Sequence, residues 1–255
     1  MSLGDHLREL RYRVVFSMVF IVLGMVVVAL FYNQVYMFLA QPWLHAKDIL
    51  SETNPELSTQ MVLSGVASPL MLALKICGVG GLVLASPIWL YQVWAYIVPA
   101  LLAKEKRWAL TSLAAALPLF LAGVAVGYLI LPQGVSVLMA FTPQSVPITN
   151  LIEIDKFLEL MLQLMVVFGI GFLMPVVVVG ANFAGVLKAT QLAKARMYVI
   201  FGTFVFGAAA TPSTDPFSML ALAIPMSLLF LAAEFVCRLN DKRKAKRAAA
   251  ELAAT

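Results

Sequence analysis

Six long apolar runs follow one another along this chain with short polar breaks, and that pattern constrains its fold more than any other feature. A helix needs about 20 apolar residues to cross the hydrocarbon core of a bilayer. The runs are Val14 to Leu30, continuing through Tyr32 to Leu39; Pro69 to Ile97; Leu110 to Leu131; Phe157 to Val179; Met197 to Ala210; and Phe217 to Val236. The stretch ATPSTDPFS separates the last two, and its prolines cannot continue one helix. The fifth run is short for an average bilayer, which predicts local thinning or shielding of its ends. Only 12% of residues are charged, where a soluble domain carries about 25%. The expected fold is an all-α integral membrane protein: six transmembrane helices, kinked and curved into a concave bundle, forming a single domain over 1–255. Nothing resembles a linker to a second folded unit.

The basic residues orient the bundle. Counted from the N-terminus, successive segments outside the runs hold 3, 1, 3, 1, 3, 0 and 6 Lys/Arg. This alternation satisfies the positive-inside rule with both termini cytoplasmic, and it accounts for the net charge of +5 without a nucleic-acid partner. The N-terminus does not read as a cleavable signal peptide, because Asp5 and Glu9 lie in its polar region and the run that follows is too long. Leu3, Leu7, Leu10 and Val14 instead form one apolar helical stripe, an amphipathic cytoplasmic helix over 1–13 with Ser2 as its cap. Residues 238–255 form a basic cytoplasmic tail suited to anionic lipid.

Motifs for enzymatic catalysis or nucleotide binding are missing from the sequence. His6 and His45 fall on opposite sides of the membrane in this topology and cannot share a metal, and no cofactor is expected. Cys77 and Cys237 sit far apart in apolar segments and read as packing residues. The polar residues in or beside the spans are more informative, since ionisable groups in a bilayer are costly. Lys75 reads either as a snorkelling ammonium or as a functional group. Glu159 and Gln163 lie one turn apart on the fourth span. Glu234 lies at the inner end of the sixth. Asp215 sits in the turn before it, where Thr211, Ser213 and Thr214 offer local hydrogen bonds. Pro87, Pro118, Pro175 and Pro225 invite kinks. Glu9 and Glu105 stand among bases on the cytoplasmic side, and either self-pairing or recognition suits them.

Several blocks then fall into a known order. HLRELRYR, VASPL, ASPIWLYQVWAYIVPAL, KEKR and TPSTDPFSMLALAIPM resemble the signatures of the TatC family, the multi-spanning receptors of the twin-arginine protein translocase. The resemblance implies a receptor for twin-arginine signal peptides of folded precursors. It places Glu9 and Glu105 in a cytoplasmic recognition patch, with Leu10, Arg11 and Tyr96 beside them. Tyr96 stands where the family usually has Phe. The resemblance also implies single-span TatA- and TatB-type partners docking at the fifth and sixth spans near Thr211, Asp215 and Met219, further TatC copies, and export driven by the proton-motive force across a prokaryotic cytoplasmic membrane. Two positions depart from the family pattern. Leu173 replaces a glutamate two residues before the proline of the fourth span, and Met219 replaces a glutamine. Glu159, Gln163 or Glu234 are the candidates to restore that polarity. The rival class is a small-solute secondary transporter, which predicts a midplane polar site and an internal repeat.

Overall fold

The computed structural model describes residues 3–53, 58–97, 106–139, 149–210 and 216–253. Within them the chain is helical apart from one short ladder and the turns that join the elements. The helices are α1 (Leu3–Leu30), α2 (Tyr32–Thr53), α3 (Ser68–Leu84), α4 (Ser86–Ile97), α5 (Lys106–Met139), α6 (Ile154–Gly171), α7 (Met174–Phe183), α8 (Ala189–Ala210) and α9 (Pro216–Ala253). Strands β1 (Ser58–Val62) and β2 (Thr149–Glu153) pair in parallel, from Ser58 opposite Thr149 to Val62 opposite Glu153. Five helical stretches are long and apolar enough to cross a membrane, and the bent pair α3–α4 makes a sixth. The six-span expectation therefore holds.

The bends have local causes. The chain turns by 59° between α3 and α4. Pro87, in the first turn of α4, has no N–H to donate backwards. The Trp89 indole donates to the Leu82 carbonyl at 2.9 Å, satisfying one of the last acceptors of α3. Pro175 likewise opens α7, after a break at Phe172 and Leu173. Pro118 and Pro225 remain inside α5 and α9.

Three sequence expectations change in detail. The N-terminal amphipathic segment is not separated from the first span: α1 runs through both, and neither proline nor glycine occurs between Asp5 and Leu23 to break it. Its Leu7, Leu10 and Val14 stripe is exposed on the chain. The fifth span is not a short helix, because α8 starts at Ala189 and has 22 residues. Its polar first turns stay helical, as helix formation there costs no buried polar group. The basic tail also continues as helix, and α9 reaches Ala253.

Packing centres on α5 and α6. Phe120 and Val124 of α5 meet Leu158, Met161, Leu164 and Phe168 of α6 in one buried cluster. Lipid supplies no hydrophobic drive between helices, so close van der Waals approach has to supply the contact. Gly123 and Gly127, spaced four apart on α5, provide it: a Cβ on Gly127 would stand 2.8 Å from the Met165 Cα, and one on Gly123 would collide with the Phe168 carbonyl. On the other side Gly24 of α1 crosses Gly81 of α3, where a Cβ on Gly81 would stand 2.6 Å from the Met25 backbone nitrogen.

Candidate functional site

The α1–α4 corner gathers the first polar group. His6, Glu9 and Arg13 are spaced three and four apart, which puts them on one face of α1. Gln92 and Tyr96, four apart, present one face of α4. The Arg13 guanidinium bridges the two helices. Its Nε and Nη2 donate to Glu9 Oε1 at 3.0 and 2.7 Å, and its Nη1 donates to Gln92 Oε1 at 2.9 Å. An arginine only donates, so Gln92 must turn its carbonyl oxygen inward. One turn away His6 stacks on Tyr96, ring centroids 4.5 Å apart. The corner remains open: the side chains of Arg13 and Glu9 are 21% and 28% exposed. Leu10 and Arg11 are exposed beside it. Glu105, the other expected recognition carboxylate, lies outside the described residues, as do Thr211 and Asp215.

A second polar group lines a groove of about 600 Å³ between α1, α3 and α6. Lys75 does not snorkel alone; its Nζ meets Glu159 at 2.7 Å. Gln163, one turn further along α6, donates to the Ala210 carbonyl at the end of α8 at 3.2 Å. Ile21, Met25, Val79 and Leu82 supply apolar walls. The sequence carries a signal for this pair. Lys75 is seven residues past the start of α3 and Glu159 five past the start of α6, and both helices enter from the same side. Opposite charges at matched depth in a bilayer find each other.

The third group ties α8 to α9. Glu234 is buried and accepts a bidentate pair from Arg196, Nε to Oε2 at 2.9 Å and Nη2 to Oε1 at 2.7 Å. Arg238 adds a third contact at 2.6 Å. Glu234 therefore does not join Gln163 in one cluster. Their α8 partners, Arg196 and Ala210, are 14 residues apart, about 21 Å along a helix. Met219 packs beside Gly207 of α8, and Thr203 and Ser227 share a hydroxyl hydrogen bond at 2.9 Å across the same interface.

The fold and these placements can be set against known proteins. The profile of the family described as "Sec-independent protein translocase protein (TatC)" matches residues 5–225. The chain belongs to the TatC family. The TatC of Frankia casuarinae is 34% identical over 250 residues, covering 97% of this chain and 68% of that protein. The TatC of Aquifex aeolicus is 33% identical over 245 residues, covering 96% and 98%. A crystal structure titled "Twin Arginine Translocase Receptor- TatC in DDM" superposes with a TM-score of 0.77 at 33% identity, covering 91% of this chain and 99% of the other. The relatives are named for protein translocation, a transport function rather than catalysis, and the chain is a membrane protein of that translocase family.

The family match ends at residue 225, and the α9 side chains that fix the rest of that helix lie beyond it. Asp241 accepts from the Ala189 backbone N–H at 2.8 Å and from Asn182 at 3.0 Å, which caps the start of α8 from a neighbouring helix. Asn240 donates to Asn182, and Lys244 donates to the Phe183 carbonyl at 3.0 Å. The last membrane helix is thereby pinned to the α7–α8 turn as it leaves the apolar region.

Proposed function

We propose that this chain is the receptor and core subunit of a twin-arginine translocation system, binding signal peptides of folded precursors at its cytoplasmic α1–α4 corner. The observation that supports this most is that the corner already holds a guanidinium on the Glu9 carboxylate. A planar fork of donors meets a carboxylate through two parallel hydrogen bonds, and an ammonium cannot reproduce that geometry. Partial burial of Glu9 strengthens such a contact over one in bulk water. Glu105 supplies the second carboxylate in this reading, with Tyr96 and Leu10 as apolar contacts and Arg11 at the rim.

The positive-inside count supports a cytoplasmic membrane location with both termini inside. Single-span partner subunits dock along α8 and α9, with Thr211, Asp215 and Met219 on their path, and the proton-motive force drives export. Additional copies of the chain complete the complex. Site-specific photo-crosslinking of a twin-arginine precursor is expected to disappear in Glu9→Ala and in Glu105→Ala; unchanged crosslinking in both variants would remove the proposal.

One observation favours a second reading. The groove with Lys75, Glu159 and Gln163 places polar side chains on an open face of an apolar bundle, a feature a small-solute transporter could use. Binding of a twin-arginine peptide that is lost on exchange of its Arg-Arg for Lys-Lys separates the receptor from the transporter.

A further inference from the structure

We propose that Arg13 is a resident competitor for the Glu9 carboxylate, and that Gln92 receives it when an incoming guanidinium takes its place. This rests on Glu9 being the docking carboxylate. Three observations support it. Both Arg13 hydrogen bonds to Glu9 fall on one oxygen, Oε1, and no hydrogen bond described in the structure reaches Oε2. The third Arg13 contact goes to a different helix, to Gln92 Oε1 at 2.9 Å. The pair is partly exposed, so it can be exchanged instead of being sealed inside the bundle.

The consequence is a filter for arginine over lysine. An ammonium brings one compact point charge and can settle at Oε2 without dislodging Arg13. It then binds beside another cation and gains little. A guanidinium brings a fork that needs both oxygens, so full engagement evicts Arg13 from Oε1. The evicted side chain is not left bare, because Nη1 remains on Gln92 and acts as the pivot. Binding strength is therefore the difference between two guanidinium contacts, and a ligand without the fork cannot win the exchange.

The test uses the full-length protein in detergent, a fluorescent twin-arginine signal peptide and its Lys-Lys counterpart. Removing the competitor in Arg13→Ala is expected to tighten twin-arginine binding by about two- to fivefold, the worth of a partly exposed ion pair. The Lys-Lys peptide should gain more, so the preference for arginine narrows. Gln92→Ala leaves an evicted Arg13 with no partner, while a resident Arg13 still keeps Glu9, so twin-arginine binding should weaken. Gln92→Glu gives Arg13 a carboxylate of its own and should tighten it. That last gain must vanish in the Arg13→Ala background, since the effect runs through Arg13.

Unchanged or weaker binding of both peptides by Arg13→Ala would overturn the proposal. So would a Gln92→Glu gain that survives without Arg13, because the new carboxylate would then be attracting the peptide directly. If Arg13→Ala does not fold, Arg13→Gln takes its place in the same cycle: a Gln92→Glu gain that vanishes in that background supports exchange, and one that persists refutes it. Glu9→Ala distinguishes the two levels. If it binds the twin-arginine peptide like wild type, the docking reading itself fails; if it loses binding while Arg13→Ala changes nothing, only the competitor is lost.

Discussion

Glu9 and Glu234 show one chemistry put to two uses. Each is a carboxylate on a helix of the bundle, and each is gripped by arginine. Glu234 has a side chain only 2% exposed, with both oxygens engaged by guanidinium groups from α8 and from α9 itself. Glu9 is 28% exposed and uses one oxygen for an arginine one turn away on its own helix. Burial and partner number set a strut apart from the carboxylate proposed to dock a ligand. A buried carboxylate with both oxygens committed holds two helices together. One that is partly exposed, with one oxygen engaged among the described residues, suits the proposed docking role.

The largest expected effect breaks the strut. Glu234→Ala leaves two guanidiniums without their shared partner, and a group lost from a buried pair typically costs 3–5 kcal/mol. Arg196 and Arg238 are nearly half exposed, so the expected loss falls below that range, about 2–3 kcal/mol, read as a lower unfolding temperature in detergent. A stability equal to wild type would show that Glu234 is no strut.

The Lys75–Glu159 pair falls between the two. It joins different helices, as the Glu234 pair does, but it opens into the groove, as Glu9 opens to its surroundings. A double-mutant cycle of Lys75→Ala and Glu159→Ala should give a coupling of about 1 kcal/mol, the scale of polar contacts between membrane helices. No coupling would mean that the two side chains are held by lipid and water and not by each other.

The smallest effect sharpens the contrast. Glu9→Gln should change the unfolding free energy by less than about 1 kcal/mol, as expected of a partly exposed pair on one helix. A loss as large as that for Glu234→Ala would make Glu9 structural too.

The sequence made the bundle legible and its pairings obscure. Six apolar runs and the punctuation at Pro87 and Pro175 were enough for the span count and two of its breaks, because lipid permits little besides helices. Helix ends were less readable. The turns from Ala189 to Arg196 carry Lys194 and Arg196 and scan as loop, yet they are helical and supply the partner of Glu234. Pairings were hidden for a similar reason. Hydropathy records the cost of a charge in a span but not the neighbour that offsets it, so Lys75 and Glu159 were read one at a time. Glu9 was legible as a candidate from its setting among arginines and from the family resemblance. That its first partner is Arg13, with Gln92 on α4 as the second, depends on the α1–α4 crossing, which no local pattern specifies.

The most direct test of the account is the affinity of a twin-arginine signal peptide for the wild-type protein and for Glu9→Gln, measured beside their unfolding temperatures. Loss of a charge-assisted contact predicts binding weaker by about tenfold or more with the unfolding temperature essentially unchanged. Equal affinity in the two proteins would contradict it.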